Sequence, residues 1–441
     1  MAKPTPKSLA EINQSVPVPD VYQSAFWQKF LAYSGPGALV AVGYMDPGNW
    51  LTSLAGGSQF RYHLLAVLLI AIIVAMFMQT LAIKLGVVAR QDLAQAIAAT
   101  LPRPVRYGLW ILNEVAMMAT DMTGVIGTAV ALNLLFGLPL VAGILLTIAD
   151  VLVVLLFLRF GIRRIEFIVL AAIITVGVIF GLEVGRAQPP LTAILTGLVP
   201  TNLIIKNHAA LILSLGILGA TIMPHNLYLH SSLAQSRRYD YHNPAQVNEA
   251  LRFANWDSNV HLVAAFLINA LLLILGGTLF FHTDHQLASL AAVYAGLKST
   301  AIVGQLASPI MSTLFAFALL ITGLISSITS TLAGQIVMEG YLHIRLPLWQ
   351  RRLLTRLVTL VPIFIIGWAV GFTDQAFENL IIYAQVALSI ALPFTLYPMV
   401  ALTGNKALMG NHVNSRWTTW LGYGLTTIIT ILNLNLIWHL G

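Results

Sequence analysis

Two short motifs carry the groups best able to do chemistry: Asp46-Pro47-Gly48-Asn49 and Met223-Pro224-His225-Asn226. Proline removes a backbone donor and crowds the preceding turn, and glycine relaxes the chain, so helical pairing should fail at both places. The carbonyls freed there, with the Asp46 and Asn49 oxygens, suit Mn²⁺ and other divalent ions. Met223 adds a soft thioether, which binds Mg²⁺ and Ca²⁺ poorly, so one Met among oxygen ligands favours transition metals. His225 belongs to the residue class that exchanges protons near neutrality. A helix cap at position 46 would need no charge, since Ser or Asn caps equally well.

Both motifs interrupt apolar runs. Of 441 residues, 58% are hydrophobic and 9% charged, where a soluble domain carries about 25% charged residues. That excludes a soluble multidomain protein, a disordered chain and a coiled coil. The absence of cysteine removes thiolate metal sites, redox motifs and a disulfide scaffold. The composition is that of an integral membrane protein.

Runs long enough to cross a bilayer, roughly 20 apolar residues each, occur at 35–57, 63–83, 107–136, 139–158, 165–183, 209–235, 259–281, 302–327, 353–371, 377–401 and 418–438. The stretch 299–338 holds no Asp, Glu, Lys or Arg, enough for two spans. It is read as one, because its second half is small and polar like a buried helix end. The positive-inside rule supports eleven spans with the N-terminus inside and the C-terminus outside. Nineteen basic residues then face the cytoplasm, leaving Arg61, Arg186, Lys206 and Lys298 outside. The net charge of +7 is therefore a topology signal, not a nucleic-acid surface. Residues 1–34 show no cleavable signal and read as a cytoplasmic tail, with Val21–Tyr33 an amphipathic lead-in anchored by Trp27 and Lys29.

The interruptions open the first and sixth spans. Broken helices at corresponding positions of two halves mark the central site of a transporter. The chain thus reads as five plus five spans in inverted repeat with one left over: 35–184, then 185–401, then 402–441. An ionised Asp at the bilayer centre costs on the order of 3 kcal/mol, so Asp46 reads as functional. Asp150, His230, Gln79 and Asn269 read as interior hydrogen-bonding residues, with a place on a proton route as the alternative for Asp150.

The stretch Gly35-Pro36-Gly37, Val42-Gly43-Tyr44-Met45-Asp46-Pro47-Gly48-Asn49-Trp50 and Gly56-Gly57-Ser58-Gln59-Phe60 resembles the Nramp divalent-metal transporters. So do Gly219-Ala220-Thr221-Ile222-Met223-Pro224-His225-Asn226, and Glu114 with Ala119-Thr120-Asp121. The likeness runs from about residue 25 to the end and is strongest to bacterial proton-coupled manganese transporters. It implies an all-α polytopic membrane protein with a leucine-transporter-like fold in a bacterial plasma membrane. It also implies a metal site of Asp46, Asn49, Met223 and the Ala220 carbonyl, with Gln385 joining in one state. For protons it points to Asp46, His225, Glu114 and Asp121, with Arg237, Arg351 and Arg352 at the inner end. Position 124, often acidic in the family, is Gly124 here.

The expected activity is import of Mn²⁺, Fe²⁺ and similar ions with protons, by alternating access. The metal is substrate rather than cofactor, the lipid bilayer is the only other partner, and no obligate protein or nucleic-acid partner is inferred. The alternative within the fold is a sodium-coupled amino-acid symporter, which would have little use for Met223. A membrane metalloenzyme lacks its His-Glu-x-x-His pair, and two broken helices suit alternating access better than a channel.

Overall fold

Apolar segments of this length satisfy their backbone groups internally as helices, the one open-ended structure that hydrocarbon tolerates. The computed structural model describes residues 8–9, 11–20, 24–150, 152, 156, 161–281, 289–299 and 308–440. Its principal helices are α1 (Phe26–Tyr33), α2 (Pro36–Gly43), α3 (Pro47–Phe60), α4 (Leu65–Lys84), α5 (Leu93–Thr100), α6 (Arg103–Phe136), α7 (Leu140–Leu146) and α8 (Ile162–Ala187). After these come α9 (His208–Ile222), α10 (Pro224–Leu233), α11 (Pro244–Leu279), α12 (Leu290–Lys298), α13 (Pro309–Leu342), α14 (Leu348–Val370), α15 (Asp374–Thr403) and α16 (Arg416–Leu440). Among the described residues nine helices are long and apolar enough to cross a membrane, with α9 and α10 together forming one of them.

Proline, which has no N–H to leave orphaned in a first turn, opens helices readily. Pro36, Pro47, Pro224, Pro244 and Pro309 each do so here. That explains two departures from the spans read in the sequence. Helix α11 starts at Pro244 rather than near 259, so the polar stretch before the apolar run is already helical. Among the described residues of 299–338 one long helix begins at Pro309 and continues to Leu342 instead of ending at 327. Its small polar half, Ser326 to Gln335, stays helical because it is buried in the bundle. Residues 302–307 lie outside the described residues, as does most of 151–160 in the expected fourth span.

The described N-terminal residues pack onto the bundle. Leu9 is buried in the main apolar core, and the Ser8 hydroxyl lies 2.7 Å from that of Ser232 in α10. Val16–Pro17 (β1) then pairs in parallel with Arg237–Arg238 (β2), just past α10. The cause is an unfilled ladder: the chain leaving α10 is extended and its backbone groups need partners. Trp27 is exposed, whereas Lys29 is buried against Glu249, 2.7 Å away.

The core lies where α6 packs against both α13 and α15 and where α3 packs against α9 and α11. Close approach there depends on glycine. A Cβ at Gly57 would stand 2.0 Å from the Leu273 carbonyl oxygen, and one at Gly219 would stand 2.1 Å from that of Gln385. Small residues let helix backbones touch in a membrane, where no hydrophobic force separates helix from lipid. Gly57→Val should therefore force α3 off α11 at a cost of about 1–3 kcal/mol or more. A thermal melt in detergent checks this; an unchanged midpoint would disprove the backbone contact.

Candidate metal centre

Two chain breaks meet at the centre of the bundle. Helix α2 ends at Gly43 and α3 begins at Pro47, with Asp46 as its N-cap. Helix α9 ends at Ile222 and α10 begins at Pro224, with Met223 between them at φ 35°. The local cause is the same twice. A helical carbonyl accepts from the N–H four residues on, and for Gly43 and Ala220 that residue is Pro47 and Pro224, which have none. Positive φ is rare for a residue with a side chain, so Met223 is held there by its surroundings.

The freed groups turn toward each other. Asn49 Nδ2 donates to the Ala220 carbonyl at 2.8 Å, tying the first break to the second. Asp46 Oδ1 accepts from the Asn49 backbone N–H at 2.8 Å, and Oδ2 accepts from the Thr123 hydroxyl of α6 at 3.2 Å. Gln385 of α15 lies so close to the first break that a Cβ on Gly48 would overlap its amide at 1.7 Å. Asp46, Asn49, Ala220, Met223 and Gln385 are all buried. Asn49 Oδ1 and both Gln385 amide atoms have no hydrogen-bond partner among the described residues. Unsatisfied oxygens around a buried carboxylate are costly unless something binds there. No cluster of three or more His, Asp or Glu suited to a metal occurs among the described residues. A cation here would meet one carboxylate, amide and backbone oxygens, and a thioether.

Helix α6 carries hydroxyls and acids on distinct faces. Thr120 and Thr123 point to the breaks, the Thr120 hydroxyl lying 3.4 Å from His225 Nδ1. Glu114 and Asp121, two turns apart, face α14 instead. Arg351 Nη2 donates to both Glu114 oxygens at 2.8 and 2.6 Å. Arg352 bridges Asp121 and Asp150, reaching Asp150 Oδ2 at 2.6 Å. Arg356 also pairs with Asp150 and lies 3.4 Å from Asp121 Oδ2. Ser327 of α13 donates to Asp150 Oδ2 at 2.7 Å. Asp121, Asp150, Arg352 and Arg356 are all buried and balance in charge, as buried ions must.

Arg237 stands apart from this cluster. It donates to Glu166 at 2.8 Å and to the carbonyls of Ala32, Tyr33 and Ser34, so it clamps the entry to α2. Asp257 completes the clamp by accepting from the Gly35 and Gly37 N–H groups at 3.1 and 2.7 Å. Of the interior residues singled out in the sequence, His230 Nδ1 donates to Gln79 at 2.8 Å, and Gln79 donates to the Tyr44 hydroxyl at 2.8 Å. Asn269 donates to the Tyr44 carbonyl at 2.6 Å, beside the first break. Sequence reasoning passed over Arg356, Thr123, Glu166 and Asp257. Arg356 did carry a signal: a cation inside the apolar run 353–371, one turn beyond Arg352.

The descriptive model for natural resistance-associated macrophage protein-like (Nramp) chains matches residues 37–439. This chain belongs to the Nramp family. The Nramp chain is 47% identical to the divalent metal cation transporter MntH of Levilactobacillus brevis over 98% of its own length and 94% of the relative's. With the same-named protein of Staphylococcus saprophyticus it shares 48% identity over 98% and 96%. Among solved structures it is similar to the Eremococcus coleocola manganese transporter, with TM-score 0.89 and 44% identity over 97% of this chain and 90% of that one. MhsT in complex with L-phenylalanine matches at TM-score 0.61 and 16% identity over 91% of this chain and 97% of that one, a likeness of fold alone.

The acid–arginine cluster yields a stability prediction for this Nramp protein. Removing one member of a buried pair costs about 3–5 kcal/mol, because the partner charge is stranded. Arg352→Gln should thus lower the unfolding midpoint in detergent far more than Arg163→Gln, whose side chain is 49% exposed beside Glu166. Equal shifts would show that the cluster does not hold the bundle together.

Proposed function

We propose that this chain imports divalent transition-metal ions, Mn²⁺ foremost, together with protons, by alternating access across a bacterial plasma membrane. The observation that carries this reading is the meeting of the two breaks. Asn49 reaches the Ala220 carbonyl, and a carboxylate, unsatisfied amide oxygens and the strained Met223 stand around that contact. The family and its metal-transporting relatives support the same reading. In it, Asp46, Asn49, the Ala220 carbonyl and Met223 are ligands, and Gln385 joins in one state.

The topology that suits this mechanism has eleven spans in a five-plus-five inverted repeat. Helices α2 and α3 form the first span and α9 and α10 the sixth, both broken at mid-membrane. The N-terminus then lies inside and the C-terminus outside, as the basic residues favour. Metal binding at Asp46 requires the ionised carboxylate, so metal arrival favours proton release there. His225 and Thr120 offer the next polar station toward α6, and Asp121, Glu114, Arg351 and Arg352 lie on its far face. Arg237 acts at the α2 clamp and not on this path.

Replacing Asp46 by Ala leaves the neutral ligands but removes the anion. Asp46→Ala should abolish Mn²⁺ uptake into proteoliposomes while the protein still elutes as a folded monodisperse species. Wild-type uptake by that variant would end the site assignment. Gly124 provides a second test, because the structure leaves room for the acid it lacks: a Cβ there meets no atom within 4 Å. Internal acidification should accompany Mn²⁺ uptake by the natural chain, and Gly124→Glu should raise protons moved per metal. Uptake with no acidification in either protein would refute symport and leave the metal site standing.

A further inference from the structure

Asn226 sits one turn beyond Met223 and is fully buried. Its Nδ2 donates to the Met223 sulfur at 3.5 Å, and its backbone N–H donates to the Met223 carbonyl at 3.2 Å. The amide is wedged against the end of α2: a Cβ on Gly43 would lie 2.4 Å from Nδ2 and 2.7 Å from Oδ1. Oδ1 has no partner among the described residues. A buried amide that gives its N–H to a weak acceptor and leaves its carbonyl unpaired contributes little to stability.

A methionine side chain has three rotatable bonds and adapts to whatever surrounds it. A soft ligand that wanders is a poor filter. Thioether sulfur has two lone pairs, so one can accept from Asn226 while the other remains for a metal. We propose that Asn226 is a positioning residue for selectivity, whose amide N–H locks the Met223 thioether in the orientation that presents its free lone pair to the cation. The inference rests on Met223 being a metal ligand, as in the function proposed above. Residues that orient a ligand typically change metal affinity by about 10–100-fold when removed.

A double-mutant cycle tests it, with Mn²⁺, Cd²⁺ and Ca²⁺ titrated calorimetrically into wild type, Asn226→Ala, Met223→Ala and the double variant. Asn226→Leu, close to Asn in shape but without the N–H, replaces Asn226→Ala if the smaller residue lets the site collapse. The expected result is a loss of about tenfold in preference for Mn²⁺ and Cd²⁺ over Ca²⁺ on replacing Asn226. No further loss should follow when Met223 is already Ala, since residues acting through one contact are not additive. Unchanged preference in the Asn226 variants, or losses that add, would overturn the positioning role while the metal site survives. Unchanged preference in Met223→Ala alone would overturn both.

Discussion

Two missing hydrogen bonds organise this molecule. Pro47 and Pro224 withhold the donors that Gly43 and Ala220 would receive in a continuous helix, and a buried carbonyl without a donor is costly in a bilayer. The bundle answers by bringing the breaks together, so that Asn49 from one supplies a donor to Ala220 of the other. A carbonyl oxygen has two lone pairs, so Ala220 accepts this bond with one pair to spare. The same contact that repairs the backbone therefore ties the first break to the second. The glycines follow from it: Gly48 admits the Gln385 amide, and Gly219 brings the α9 backbone against α15.

Charge placement obeys a second constraint. A buried ionised acid is costly without a cation or a hydrogen bond, and helix α6 places its own acids by the helical period. Thr120 and Thr123 share a face toward the breaks, whereas Glu114 and Asp121 share another toward the arginines of α14. Gly127 lets the first face close on the break, since a Cβ there would stand 2.2 Å from the Pro47 side chain. One helix thus touches the two breaks on one side and a balanced ion cluster on the other. Arg237 meets the same constraint elsewhere, neutralising Glu166 while gathering the carbonyls that lead into α2.

Much of this was legible in order of residues alone. Membrane insertion follows from composition, because 9% charged residues cannot cover a water-exposed surface. The positions of the breaks follow from proline, whose missing N–H acts locally whatever the fold. The proposed preference for transition metals rests on ligand softness, with Met223 set beside Asp46 and Asn49. The small polar residues from Ser326 to Gln335 mark a buried helix end, because a lipid-facing one would carry larger apolar side chains.

Other features were decided by tertiary structure. Nothing local distinguishes Arg237 from Arg351 as partners for the α6 acids; the fold carries one to Glu166 and the other to Glu114. Nothing in the N-terminal stretch itself reveals where it docks, because the pairing partner of β1 lies more than two hundred residues away, past α10. The hydroxyl of Thr123 matters only because helix packing sets it 3.2 Å from Asp46. Properties carried by a residue's own backbone and chemistry, such as a break, a charge or a soft ligand, are determined by sequence. Which partner satisfies a buried group depends on distances between helices, and those exist only once the bundle has closed.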